Sequence, residues 1–409
     1  MNKQSMDITV TFHVHQPIRL RRFSVFMIGN YAQTDYFDYE KNRQIFLKVA
    51  YKCYLPTNKF MLDLLDNYDI KLAFSITGTF LEQAELFHPE VLESFKQLLS
   101  HKKVEVVSET YYHSLVSLFP NKEEFFEQVG MHKEVIGKLF KKSPVLFRNT
   151  EALYSNEIAE LAYKMGYIGI YTEGWDPILG WRSPNYIYKP PNCDISVLLR
   201  NYRLSDDVSY RFSARWWNEW PLTADKYASW LAASEGQVIN LYMDYETFGE
   251  HQWQETGIFE FLMHLPKEVL KYEHLNFSLP SEVVRKYKPV GIYDVPYPIS
   301  WADMERDTSA WLGNDMQRVA FEELKKVYSF IKAIPDEEKR EKFLRIWRYL
   351  SISDHLYYMC TKHWADGDVH KYFSHLATPY DAFINFMNVL QDLKEKIKPY
   401  LPSHLACHL

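Results

Sequence analysis

Cysteine is scarce. Cys53, Cys193, Cys360 and Cys407 stand far apart with no CxxC pair, which argues against a disulfide framework and a cysteine-built zinc site. An excess of positive charge is also missing. The 47 Lys and Arg against 53 Asp and Glu leave a formal net charge of −6, so the electrostatic footprint of a nucleic-acid binder is absent. The one basic cluster, Arg19-Leu20-Arg21-Arg22, is too short to restore it. No apolar run reaches transmembrane length, and the opening MNKQSMDITVTF holds no apolar stretch ahead of a cleavage signal. No membrane association and a cytoplasmic location are therefore expected. No GxSxG, P-loop or GxGxxG stands in the right context, which leaves serine-hydrolase, NTPase and dinucleotide readings without support.

Aromatic residues are abundant, with 30 Tyr, 26 Phe and 11 Trp. They serve either as large cores or as flat platforms for sugars and bases. The 409 residues exceed the size of a single core, so a large domain plus a smaller one is expected.

Read in order, the chain alternates strand and helix signals. Asp7–His15 alternates β-branched and aromatic residues and ends in two histidines. Further strands are expected at Lys71–Phe80, Val104–Tyr112, Pro144–Thr150, Tyr167–Thr172, Asp194–Tyr202 and Gln237–Tyr245. Helical patterns separate them, which argues for parallel strands with crossovers of one hand. Each strand ends in His, Glu, Asp or Arg, and strand–helix loops of such barrels meet at the C-terminal rim. The stretch Gln237–His251 is the most pronounced, an aliphatic run delivering Asp244, Glu246, Glu250 and His251. The expected fold is thus α/β, a (β/α)7 barrel over 1–290, an incomplete TIM-like barrel. Residues 291–312 read as a linker returning to the active-site face. Residues 313–409 read as a C-terminal α-helical bundle, with helices at Gln317–Ala333, Asp336–Cys360 and Tyr380–Lys396.

Two carboxylates across a cleft can hydrolyse a glycosidic bond, and Glu151, Glu173, Asp244 and Glu246 are the candidates. Period-two alternation puts Asp244 and Glu246 on one face. The bland alternative pairs rim carboxylates with Arg148, Arg203 or Arg215. His13 and His15 also share a face, and such a pair either binds a metal, donates to substrate hydroxyls or is simply buried and satisfied.

Five segments carry a resemblance to a known family. His13-Val14-His15-Gln16-Pro17, Gly78-Thr79-Phe80-Leu81-Glu82, Phe147-Arg148-Asn149-Thr150-Glu151, Met243–Gly249 (MDYETFG) and Ser353–Met359 (SDHLYYM) occur in order. They resemble the five signature motifs of glycoside hydrolase family 57, with wording closest to its α-amylase group. The resemblance implies a (β/α)7 barrel followed by a helical domain, a retaining mechanism on α-1,4-glucans, and neither cofactor nor catalytic metal. It implies that Glu151 is the nucleophile and Asp244 the acid/base. Glu173, in the similar Thr172-Glu173-Gly174, belongs to the next strand's end. Retention requires the two carboxyl groups about 5–5.5 Å apart. Asp244 is expected to be partly protonated near neutral pH through burial and the neighbouring Glu246. His13, His15, Glu82, Glu109, His113, Glu173, Trp216 and Glu246 would hold sugar hydroxyls or rings, with Asp354 and His355 closing the cleft. The alternatives are 4-α-glucanotransferase or branching-type transfer, a metal-dependent carbohydrate hydrolase or deacetylase, and an inactive glucan-binding protein.

Overall fold

The computed structural model describes residues 4–30, 35–362 and 374–407. Eight strands form the sheet: β1 (Met6–Val14), β2 (Leu72–Ile76), β3 (Val104–Val106), β4 (Leu146–Arg148), β5 (Gly169–Glu173), β6 (Ser196–Arg200), β7 (Val238–Asp244) and β8 (Leu275–Phe277). The order β3-β2-β1-β7-β6-β5-β4 joins the seven expected strands, all parallel. Beyond β3, the Ser108 amide donates to Leu146 and the Ser108 carbonyl accepts from Arg148, at 2.9 and 2.8 Å. These bonds link the two edges and close the sheet into a barrel. β1 and β7 are buried along nearly their whole length, as aliphatic strands covered on both faces should be. The eighth strand pairs with Met6–Ile8 of β1, off this path.

Several boundaries are tighter than the sequence pattern implied. β2 stops at Ile76 because Thr77 caps a helix, Gly78–Phe87, its side chain accepting from the Phe80 amide. A Cβ on Gly78 would lie 2.4 Å from the Tyr111 ring, so only glycine fits that start. The helical stretch between β1 and β2 is broken by a π-turn at Ala50–Tyr54, between Tyr39–Val49 and Leu55–Asn67. Such turns are rare and re-aim side chains; here they include the buried Cys53 and Tyr54.

The chain divides into two compact units. One holds the barrel, comprising the chain up to Gln16, Arg43–Tyr111 and Val129–Trp301. The other gathers Pro17–Asn42, Tyr112–Gln128 and the chain from Ala302 onward. Its helices include Asp315–Lys332, Glu337–Leu350, Ser353–Tyr357 and Pro379–Ile397. Buried Trp347 packs on Tyr328 with ring centroids 4.7 Å apart, its indole N–H donating to the Leu324 carbonyl. Buried polar bonds tie the earlier segments in: Arg348 to Glu124 at 2.7 Å, and the Phe23 amide to Asn385 at 2.6 Å. Among the described residues, no helix is long and apolar enough to cross a membrane.

Candidate active site

Parallel register sets His13 of β1 opposite Asp244 of β7 on one side and Ser75 of β2 on the other. Its Nδ1 lies 3.2 Å from Asp244 Oδ1 and its Nε2 lies 3.4 Å from Glu109 Oε2. Ser75 donates to Glu109 Oε1 at 2.7 Å, and Arg148 of β4 approaches Glu109 Oε2 at 3.4 Å. One polar chain therefore crosses five neighbouring segments of the barrel. His13, Glu109 and Arg148 are buried, whereas a third of the Asp244 side chain is exposed. Asp244 is the end of this chain that a ligand can reach.

Glu151 follows β4 in an unusual backbone. Its φ is 57° and that of Ala152 is 49°, two consecutive non-glycine residues in the left-handed region. That conformation costs of order 1–3 kcal/mol per residue and persists where surrounding bonds impose it. Here the Ala152 and Leu153 amides donate back to Asn149 and Thr150, and Asn149 Nδ2 donates to the Leu153 carbonyl. Trp301 donates its backbone amide to the Glu151 carbonyl and its indole N–H to Glu151 Oε2, at 3.3 and 3.0 Å.

The two carboxyls at the end of β7, Asp244 and Glu246, differ sharply. Burial and the charge of Asp244 push Glu246 up to about 8, against bonds from Tyr54 and the His15 backbone that pull it down. The Tyr54 hydroxyl donates to Glu246 Oε1 at 2.6 Å. Burial also opposes ionisation of Asp244, but the His13 bond and the charges of His13, His251 and Arg148 outweigh it, holding the carboxyl below its ordinary value. The expectation of a raised Asp244 is thus reversed: burial and charge favour the neutral form at Glu246 rather than at Asp244. The reason is His13, whose hydrogen bond favours the carboxylate.

This asymmetry predicts a stability profile. Folded Glu246 holds its proton up to about 8, while the unfolded group loses it near 4.5. The folded state binds more protons in that window, so the contribution is complete below about 4.5 and is lost as pH rises towards 8. Glu246→Gln should flatten the decline in chemical-denaturation stability between pH 5 and 8; an unchanged slope would rule this out. A second prediction concerns Gly249, at φ 104°, where a Cβ would stand 1.9 Å from the Lys52 carbonyl oxygen. Gly249→Ala should destabilise the protein by about 3 kcal/mol or more, read by urea denaturation.

The model of glycosyl hydrolase family 57 matches residues 9–296. The chain belongs to that family of glycosidases. A protein of Methanocaldococcus jannaschii provisionally named an alpha-amylase is 50% identical over 402 residues, 97% of this chain and 86% of that protein. Among solved structures, a family 57 branching enzyme from Thermococcus kodakaraensis aligns with TM-score 0.71 at 12% identity, covering 97% of this chain and 91% of that one. A 4-alpha-glucanotransferase from Thermococcus litoralis aligns with TM-score 0.57 at 19% identity; the match covers 87% of this chain but only 52% of that one. At such identities these structures show a shared fold.

Against this family 57 frame, the other expected site residues fall into three groups. His15 stands beside His13, rings stacked at 5.9 Å, with Nδ1 2.9 Å from Thr77 Oγ1. Glu82 accepts from the Tyr111 hydroxyl at 2.9 Å. Glu173 is fully buried and pairs with Arg200 at 3.0 Å. Of the arginines expected to pair with rim carboxylates, Arg148 meets Glu109 and Arg203 meets Asp176 at 2.6 Å, while Glu173 is paired by Arg200. Trp216 lies well exposed after helix Tyr202–Ser209. His113, Asp354 and His355 belong to the second unit. There the Ser353 amide donates to the His113 carbonyl, and His355, buried, donates Nε2–H to the Tyr349 carbonyl. Burial pulls the His355 imidazole down to about 4, so it stays neutral.

The sequence pattern gave no sign of Trp301, Arg200 and Tyr54, and offered Arg148 as a partner of rim carboxylates. Trp301 stacks on Tyr242 at 5.0 Å and faces Arg148 at 4.9 Å and Arg200 at 5.7 Å. No local motif marks it, because its ring partners Arg148, Arg200 and Tyr242 stand on three separate strands far earlier in the chain.

Proposed function

We propose that this chain is a retaining glycosidase on α-1,4-glucans, of α-amylase type, working by double displacement. The observation that carries the reading is the pair of acids presented by different strand ends. Glu151 is held rigidly in a strained turn, and Asp244 is partly exposed at the end of a buried His13–Glu109–Arg148 chain. The name of the 50%-identical relative supports the substrate class.

In the first step Glu151 attacks the anomeric carbon, forming a C–O ester bond as the glycosidic C–O bond breaks. Asp244 gives its proton to the departing oxygen. In the second step Asp244 takes a proton from water, whose oxygen displaces Glu151 from the same carbon. Asp244 has to be protonated for the first step. A sugar covering its exposed third excludes water and favours the neutral form, and Glu246 beside it holds the proton to be shared. His13 orients the Asp244 carboxyl, Glu109 and Arg148 hold His13, and Glu82 and His15 are candidate contacts for sugar hydroxyls. His113, Trp216, Asp354 and His355 are retained as weaker substrate-binding candidates.

The reading predicts an alkaline limb of kcat/KM near pH 8 that moves when Tyr54 becomes Phe. Removing the hydroxyl removes a bond that lowers Glu246, so the limb should shift upward; a downward or absent shift would contradict the shared proton. The overall reading is tested by product analysis on maltooligosaccharides with and without an acceptor sugar. Shorter reducing sugars in both cases support hydrolysis, whereas elongated or branched products move the assignment to glycosyl transfer. Binding without product indicates an inactive glucan binder. Lasting loss on chelation, restored by zinc, would favour a metal-dependent hydrolase.

A further inference from the structure

The geometry points to Trp301 as a positioning residue for the reaction, whose indole N–H fixes the rotation of the Glu151 carboxyl and favours its ionised form. The inference rests on the nucleophile assignment above and extends it to a residue outside the five motif segments.

Three observations carry it. First, the indole N–H lies 3.0 Å from Glu151 Oε2 while the backbone amide of the same residue bonds the Glu151 carbonyl. Trp301 thereby grips both the backbone and the side chain of one residue, and that residue sits in a left-handed turn. Second, the ring itself cannot drift. It stacks on Tyr242 at 5.0 Å and 22°, stands edge-on to His13 at 6.1 Å, and faces the guanidinium groups of Arg148 and Arg200. Guanidinium groups over an indole face add about 0.5–2 kcal/mol of attraction each, so the donor is held before substrate arrives. Third, the polar groups around the ring are themselves held: Arg148 on Glu109, Arg200 on Glu173 and Asp206, and His13 between Asp244 and Glu109. Trp301 thus lies between the two halves of the proposed chemistry, bonded to Glu151 and ring-to-ring with the histidine that bonds Asp244.

A donor aimed at a carboxylate stabilises the charged form and lowers its pKa. It also holds the attacking group in one orientation, which lowers the entropy cost of reaction. A tryptophan acting only as a sugar platform would instead change KM. The two roles are separable.

The test uses the full chain with Trp301→Phe, which keeps an aromatic ring, and with benzothienylalanine at position 301, which keeps the ring's shape and replaces N–H by sulfur. Glycosylation is followed with a maltosyl fluoride, and the covalent intermediate is trapped with a 5-fluoro-α-glycosyl fluoride and located by mass spectrometry. Active-site titration normalises each rate to folded protein. Both replacements should slow trapping at least tenfold, change KM less than about threefold, and raise the acidic limb of kcat/KM by about one pH unit. An unmoved acidic limb in folded protein overturns the role of Trp301, whatever happens to kcat. A label on a carboxylate other than Glu151 in the unaltered protein overturns the nucleophile assignment itself.

Discussion

Replacing Glu151 by Ala should reduce turnover of maltooligosaccharides by a factor of at least about 10⁴ while leaving the fold intact. The size follows from the proposed role. Without the carboxylate no glycosyl ester forms, and removal of a reacting group from such a site costs several powers of ten. The fold should survive because the turn is held by backbone and Asn149 bonds that do not involve the Glu151 carboxyl, and alanine is already tolerated at the next left-handed position, Ala152. Added azide should enter the vacated space and restore turnover of an activated α-glycosyl fluoride, yielding a β-glycosyl azide. Kinetics and product stereochemistry check this together. Activity near that of the unaltered protein would sink the assignment, and the acid would then have to be sought at another strand end.

Asp244→Asn is expected to have the second-largest effect, and its signature is selective. Natural glucans need a protonated leaving oxygen, so their turnover should fall at least about 10³-fold. A glycosyl fluoride needs no such help, so its first step should proceed and the Glu151 ester should accumulate for want of a base. Mass spectrometry would show the adduct, and azide should discharge it with retained configuration. Equal losses on glucan and fluoride would instead mean that Asp244 acts through position or binding. The substitution also frees His13 from a carboxylate it meets at 3.2 Å, so a change of pH profile is expected alongside the loss of rate.

Much of the barrel was legible because its strands are written as aliphatic or β-branched runs, and burial on both faces demands nothing else. Gln237–Tyr245 and Asp7–His15 needed no knowledge of their neighbours to be read as strands, and they proved to be the adjacent strands β7 and β1. The short β8, with the exposed Asn276 at its centre, has no such run and escaped notice. Strand ends were harder. Val104–Tyr112 reads as a continuous strand, yet only Val104–Val106 belongs to the sheet. The segment beyond takes its shape from distant partners, with Ser108 bonding β4 and the Tyr111 carbonyl bonding the Gly78 amide. Pro17–Asn42 and Tyr112–Gln128 group with the C-terminal helices through bonds to Asn385, Asp392 and Arg348. Partners more than two hundred residues away leave no periodic trace.

The sequence by itself determined the order of strands and helices, and the residue types at the strand ends. It also carried a motif pattern specific enough to imply the family, with Glu151 and Asp244 as its acids. These are local properties, set by side-chain period and composition within a few residues. Tertiary structure decided which of the acids carries the proton and what holds each one. Asp244 is kept ionised because register brings His13 against it, and Glu246 is kept neutral because burial and the Asp244 charge oppose a second ion. Glu151 is poised by Trp301, 150 residues along the chain. Charge and hydrogen bonding act over a few ångströms of space, and only the closed barrel brings these residues that near.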